Sequence, residues 1–201
     1  MVDSSAVEAL HSCGKLKVVV QDSVRDLQAI LAAAGYAAEK HSNQKRKGAA
    51  REPYINHLIE VAGLVADALT EPDANVVIAA LLHDTVEDTN TTPAELTERF
   101  GADVASLVGE LTDDKSLPQA VRKQLQVEHA PRLSVRAQTI KLADKISNVR
   151  SILTSPPADW SLERRQEYFA WSTRVVSALS APNPALKREF EKIPEPRSTS
   201  G

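Results

Sequence analysis

Apolar positions along the chain recur at intervals of three and four rather than two, the spacing of one face of an α-helix, and this predicts an all-α fold. The first helix is expected over about 21–38, with Val24, Leu27, Leu31 and Ala34 as its apolar stripe. A basic segment, Lys45-Arg46-Lys47-Gly48, and then Arg51-Glu52-Pro53 predict a loop, because glycine and proline disfavour helix continuation there. A helix over about 55–69 follows, burying Leu58, Val61, Ala62 and Val65.

The stretch 76–82 is almost uniformly apolar, too short to span a bilayer and suited to a central buried helix. Thr92-Pro93-Ala94-Glu95 has a capping-box pattern, with Thr92 as N-cap, Pro93 at the first helical position and Glu95 reaching back. Gly101 is the expected stop. Further helices are expected over 102–111, 118–128 and 135–153, the last capped by Ser134, until Ser155-Pro156-Pro157 breaks the pattern. Two more, over 162–179 and 184–193, precede a tail at 194–201 expected to be disordered. The organisation is thus one domain over 1–201: a core over about 21–155 and a C-terminal helical cap over about 160–193. A helix pair that forms a homodimer is the alternative for that cap.

Composition narrows the function classes. With 24 basic against 27 acidic residues the net charge is −3, which argues against the broad basic face that nucleic-acid binding requires. Cys13 is the only cysteine, so neither an intrachain disulfide nor a cysteine metal cage can form. No apolar run approaches the roughly 20 residues of a membrane span, and residues 1–14 lack the basic start and apolar stretch of a signal peptide. The expected setting is cytoplasmic, without membrane attachment.

His83 and Asp84 end the most apolar helix, where an unpartnered imidazole and carboxylate cost several kcal/mol to bury. Local hydrogen bonding at a capped helix end would satisfy that pair taken alone. His57 near the start of one helix and Asp144 interrupting the apolar run of another change the picture. Together His57, His83, Asp84 and Asp144 make a two-nitrogen, two-oxygen set on three helices, which leaves coordination positions open on an octahedral divalent ion. Such a donor set without thiolate suits Mn²⁺, Fe²⁺ or Zn²⁺. Glu87 follows His83 by four residues and Asp88 follows Asp84 by four, so a continuing helical turn would set both acids beside the metal pair. An acidic run at a helix C-terminus opposes the macrodipole, and a nearby cation would relieve that cost.

Several segments carry a resemblance: Lys45-Arg46-Lys47-Gly48, Pro53-Tyr54-Ile55-Asn56-His57, residues 79–89 with His83-Asp84 and Glu87-Asp88, Phe100-Gly101, Leu111-Thr112-Asp113-Asp114-Lys115, and Lys141-Leu142-Ala143-Asp144-Lys145 with Asn148 and Arg150. In this order they resemble the HD-domain hydrolases that degrade the alarmone (p)ppGpp. The length, and the absence of a synthetase or regulatory segment, make the chain look like the stand-alone small hydrolases, including the metazoan SpoT homologues. The resemblance implies an HD-domain helical bundle with one Mn²⁺ bound by His57, His83, Asp84 and Asp144. It implies that Glu87 and Asp88 act on the attacking water, that Arg46 and Lys47 lie along the guanine base, and that Asn148 and Ser151 look toward the nucleoside.

Lys141 and Lys115 are expected to offset substrate charge. The small-molecule partner is then ppGpp or pppGpp, cleaved at the 3′ ester to pyrophosphate and GDP or GTP in alarmone degradation during the stringent response. Leu58 stands where the family usually has proline, and Gly48-Ala49-Ala50-Arg51 is an insert like the longer loop of the metazoan group. Asp144, Asn148 and Ser151, spaced by four and three, share one helix face. His41 and His129 are expected to be packing or surface residues, and His11 has no constellation around it. Trp160, Tyr168 and Trp171 are expected to pack the C-terminal helices, without chemistry. An HD phosphohydrolase for another nucleotide, a nucleoside monophosphate or NADPH, would keep the metal set and lose the guanine pocket. A non-catalytic nucleotide sensor should have lost at least one of the six metal and acid positions.

Overall fold

The computed structural model describes the backbone of residues 4–197 and the side chains of residues 21–197. Of the tail expected to be disordered over 194–201, residues 194–197 are described, with Gln166 Nε2 donating to Pro196 O at 3.1 Å, while 198–201 and the side chains of His11 and Cys13 lie outside the described residues. Among the described residues ten α-helices follow one another: α1 (Ser4–Lys40), α2 (Ile55–Ala68), α3 (Ala74–Leu82), α4 (Thr85–Asp88), α5 (Pro93–Phe100), α6 (Ala102–Leu111), α7 (Gln119–His129), α8 (Val135–Thr154), α9 (Leu162–Ala178) and α10 (Pro184–Glu191). A 3₁₀ turn at Ala130–Arg132 joins α7 to α8. The described residues form no strand, and their one β-bridge pairs Lys45 with Pro53 across the basic loop.

Helix α3 is central because it is apolar all round. Val76, Ile78, Ala79, Ala80, Leu81 and Leu82 are buried, and α1, α2, α6 and α8 pack around them. The main chain keeps helical or near-helical angles through His83 (φ −58°, ψ −30°) and Asp84 (φ −99°, ψ −3°), and the single turn of α4 follows. The second helix that matters is α8, which buries Ala137 through Ser147 without a gap and thereby carries six polar residues, Gln138, Thr139, Lys141, Asp144, Lys145 and Ser147, into the interior. Buried polar groups need partners, and those partners build the site. Helices α9 and α10 lie against α8, with Trp171, Val175, Val176, Leu186 and Phe190 buried.

The local signals resolve as caps. Thr92 Oγ1 accepts from Glu95 N at 3.2 Å, Ser134 Oγ accepts from Ala137 N at 3.2 Å, and Gly101 at φ +89° ends α5. Glu95 does not reach back: its carboxylate pairs with Lys40 at 3.3 Å, a tertiary partner that replaces the second half of the box.

Helix α1 corrects two expectations, since it starts at Ser4 rather than near 21 and its stripe of Val24, Leu27 and Leu31 is exposed at 49, 56 and 63 %. The buried side carries Ala33, Tyr36 and Ala37, where two small residues let the helix approach α3 and the Tyr36 ring meets Phe100 edge-on at 5.4 Å.

Candidate metal centre and its cleft

Three segments of the chain converge on one point. His57 sits in the first turn of α2, His83 and Asp84 fill the junction of α3 and α4, and Asp144 is midway along α8. His57 Nε2 lies 3.3 Å from Asp144 Oδ1 and 3.7 Å from Asp84 Oδ2; His83 Nε2 lies 3.1 Å from Asp84 Oδ2 and 3.7 Å from Asp144 Oδ1. Among the described residues, His57, His83 and Asp144 each offer a ligand atom within 4.8 Å of the others, with Asp84 in contact with both imidazoles. Both Nε2 atoms are buried without a hydrogen-bond partner, so the carboxylate oxygens are close without the alignment of an N–H···O bond.

The outer ring nitrogens explain this orientation. His83 Nδ1 donates to Ala80 O at 2.8 Å, and His57 Nδ1 is 2.9 Å from Ser147 Oγ. With Nδ1 engaged, Nε2 points to the carboxylates, the arrangement that metal-ligating histidines adopt. Two imidazoles and two carboxylates around orphaned ring nitrogens fit a divalent cation.

The electrostatics agree. Burial works to lower the pKa of His83, yet the charge of Asp84 and then Asp144 outweigh it and push it up to about 10. A proton on this ring stands in for a cation. Burial disfavours the charged forms of Asp84 and Asp144, but His83 beside Asp84 and Lys145 beside Asp144 hold both well below the ordinary carboxylate range. Tyr54 donates its hydroxyl to Asp84 Oδ2 at 2.6 Å. Lys145 Nζ donates to Asp144 Oδ2 at 3.1 Å and Asn148 Nδ2 donates to Asp144 Oδ1 at 2.5 Å.

The centre is at the base of a cleft of about 560 Å³, and every residue expected at the site except the buried His57 lines it. Glu87 accepts from Asp113 N at 3.3 Å and pairs with Arg122 at 3.4 Å; burial, then the charge of Asp113, raise its pKa above the ordinary value. Asp88 accepts from Gln44 at 3.0 Å and from Lys115, so Lys115 already has an acid partner. Arg46 is half-buried and donates to Asn148 Oδ1 at 3.2 Å, while Lys47 is exposed on the same wall. Ser151 lines the cleft one helical turn beyond Asn148. Lys141 is buried, its Nζ donates to Leu111 O at 3.3 Å, and burial followed by Lys145 lowers its pKa.

Helix α2 starts at Ile55 and seats Leu58 fully in the core, so leucine is accommodated where the resembling family has proline. The basic loop is pinned against the end of α8. Ala49 N donates to Pro156 O at 3.2 Å, Ala50 N donates to Ser155 Oγ at 3.1 Å, and a Cβ on Gly48 would stand 2.3 Å from Ser155 O. His41 stacks on Tyr54 with centroids 5.1 Å apart and His129 is exposed, consistent with packing and surface positions.

A cation–aromatic wall of the cleft has no local signature in the sequence. Trp160, Tyr168 and Trp171 do pack on one another, with centroids 5.6 and 5.1 Å apart, but they also line the cleft, which corrects their assignment to packing alone. Lys145 Nζ is 4.4 Å and Lys123 Nζ 4.9 Å from the Trp171 ring centre, and Arg164 lies 4.7 Å over Trp160. The nearest available signal was the cluster of charge at Lys141, Asp144 and Lys145, set between the apolar Ile140, Leu142, Ala143 and Ile146.

Residues 33–172 match the HD domain. The guanosine-3′,5′-bis(diphosphate) 3′-pyrophosphohydrolase MESH1 of Xenopus tropicalis is 48 % identical over 168 residues, 84 % of this chain and 94 % of its own length. The MESH1 of Homo sapiens is 48 % identical over 164 residues, 82 % of this chain and 92 % of its own length. A solved metazoan orthologue of SpoT, described as hydrolysing ppGpp and playing a role in starvation responses, superposes with a TM-score of 0.79 at 42 % identity, covering 82 % of this chain and 93 % of its own. The Listeria monocytogenes structure of lmo0812 superposes at 0.57 with 27 % identity over 70 % of this chain and 94 % of its own. The matched span runs from within α1 to within α9 and holds all four residues around the orphaned imidazole nitrogens, and on that ground this chain belongs to the HD-domain family.

Proposed function

We propose that this protein is a metal-dependent hydrolase of guanosine 3′,5′-bis(diphosphate), and of its pentaphosphate counterpart, that releases pyrophosphate and GDP or GTP and so degrades alarmone in the stringent response. The observation that carries this reading is the pair of orphaned Nε2 atoms facing two carboxylates beneath a cleft lined by both acids and cations. The reading is supported by relatives that bear this activity in their names and that the chain matches over more than nine-tenths of their length.

His57, His83, Asp84 and Asp144 would hold the ion, and Mn²⁺ is the one we assign, Fe²⁺ and Zn²⁺ being compatible with the same donors. A divalent ion supplies Lewis-acid polarisation of the ester and a nucleophile at neutral pH. The protein's own groups do the rest. Asp88, held between Gln44 and Lys115, orients the attacking water and receives its proton. Glu87, whose pKa is raised by burial and then by the charge of Asp113, is the acid we assign to deliver a proton to the departing 3′-oxygen. In the net step the water oxygen bonds to the 3′-phosphorus, the bond from that phosphorus to the ribose 3′-oxygen breaks, and the proton ends on that oxygen. Arg46 offers a planar guanidinium to the guanine face beside Lys47, while Asn148 and Ser151 face the nucleoside. Lys115 and Lys141 offset the phosphate charge.

Its partner is a small nucleotide and its location the cytoplasm; among the described residues no helix is long and apolar enough to cross a membrane. The test is turnover of ppGpp with Mn²⁺ in ¹⁸O-labelled water. The label is expected in pyrophosphate and not in GDP. Label in GDP would place the cleavage elsewhere.

A further inference from the structure

We infer that Ser147 and Glu60 are positioning residues of the metal centre, fixing the ring of His57 in the tautomer that leaves Nε2 free for a cation. The inference rests on the metal reading proposed above and concerns residues outside its ligand set. Ser147 is fully buried on α8 three residues beyond Asp144, so it lies one turn further along the same side of the helix. Its hydroxyl donates to Glu60 Oε2 at 2.6 Å. A carboxylate only accepts, so the single hydroxyl proton of Ser147 is committed there, and Ser147 Oγ meets His57 Nδ1 at 2.9 Å as an acceptor. The proton of the neutral imidazole is therefore on Nδ1, and Nε2 presents a lone pair.

Without the relay the other tautomer would gain. A proton on Nε2 would face Asp144 Oδ1 at 3.3 Å and Asp84 Oδ2 at 3.7 Å, and the ring would close the site by bonding its own ligand partners. Ser147 and Glu60 hold the site open against that collapse.

The two histidines differ in how they are secured. His83 uses Ala80 O, a main-chain acceptor one turn back in its own helix. His57 depends on side chains from two helices, and Glu60 is in turn 3.8 Å from Arg150, which also pairs with Glu189 of α10. Support for the His57 ring thus passes through residues that touch neither metal nor nucleotide. Glu60 is 40 % exposed at its side chain, so the hydrophobic core does not require it.

The experiment is a calorimetric titration of the full chain with Mn²⁺ alone, together with ¹⁵N-resolved imidazole spectra of the EDTA-treated protein. Glu60→Ala and Ser147→Ala are expected to weaken Mn²⁺ binding 10- to 100-fold, as removal of outer partners of metal-bound histidines does. Glu60→Gln, which retains an acceptor of the same length, should restore most of the affinity. The His57 spectrum should report an Nδ1–H ring in the wild type and a mixture of tautomers in both alanine variants. Affinities within twofold of wild type for Glu60→Ala, with an unchanged His57 tautomer, would overturn the positioning role while leaving the hydrolase reading standing. A wild-type chain that takes up no Mn²⁺ would overturn both. Because Glu60→Ala lies at the surface, its result decides the matter even if Ser147→Ala fails to fold.

Discussion

Lys115, on the connection between α6 and α7, forms an ion pair with Asp88 on α4, while Gln44 holds the other carboxylate oxygen at 3.0 Å. The acid is anchored from both sides before any substrate arrives, which is how a proton-transferring group gains its orientation. Asp88→Asn should therefore leave metal content unchanged and lower kcat by about 10²- to 10⁴-fold. Metal analysis beside steady-state kinetics checks both halves, and an unaltered kcat would remove Asp88 from the mechanism.

Asp144 has two tasks that one substitution separates. Its carboxylate faces both imidazoles and is the acidic partner of Lys145, a residue only 3 % exposed. Asp144→Ala is expected to abolish Mn²⁺ binding. It should also destabilise the metal-free fold by about 3–5 kcal/mol, the cost of stranding a buried charge, with the Trp171 ring 4.4 Å from Lys145 Nζ moving the value toward the lower end. Denaturant unfolding in EDTA measures the second effect. A metal-free variant as stable as wild type would show that Lys145 does not depend on Asp144.

The pH dependence of the metal-free protein follows from His83. Its pKa rises from 6.5 in the unfolded chain to about 10 in the fold. A raised folded-state value contributes stability that is complete below pH 6.5 and is lost as pH climbs through 10. The melting temperature in EDTA should fall steadily between pH 7 and 10. A flat profile over that window would contradict the charge arrangement described for His83, Asp84 and Asp144.

Gly48 ties the basic loop to the end of α8, since a methyl group there would meet Ser155 O at 2.3 Å and the backbone must move to admit it. Gly48→Ala should shift Arg46 and Lys47 away from the cleft and raise KM on the order of tenfold, with little change in kcat, as expected when ground-state and transition-state binding are lost together. Equal loss in kcat would assign the loop to the chemical step instead.

How much of this was legible in the sequence depends on range. The bounds of α6, the caps at Thr92 and Ser134 and the stop at Gly101 rest on neighbours within four residues, and they form as the local pattern dictates. His83-Asp84 at the end of an all-apolar helix was conspicuous because burial makes such a pair costly. Other features exist only by tertiary placement. The outward stripe of α1 is decided by Ala33 and Ala37 fitting closely on α3, where the periodicity alone favoured the bulkier Val24, Leu27 and Leu31. Tyr54 on Asp84, Ser147 with Glu60, and Trp171 beside Lys145 join residues 30, 87 and 26 positions apart, and no spacing rule connects such residues. The outer partners of the site were accordingly invisible where the donor set itself was not.

The most direct measurement is phosphorus-resolved product analysis with purified protein, Mn²⁺ and ppGpp, run beside an EDTA control and Asp88→Asn. Pyrophosphate and GDP in equal amounts, lost with EDTA and nearly lost with Asp88→Asn, is the expected result. Intact ppGpp in the presence of metal-loaded protein would contradict the assignment.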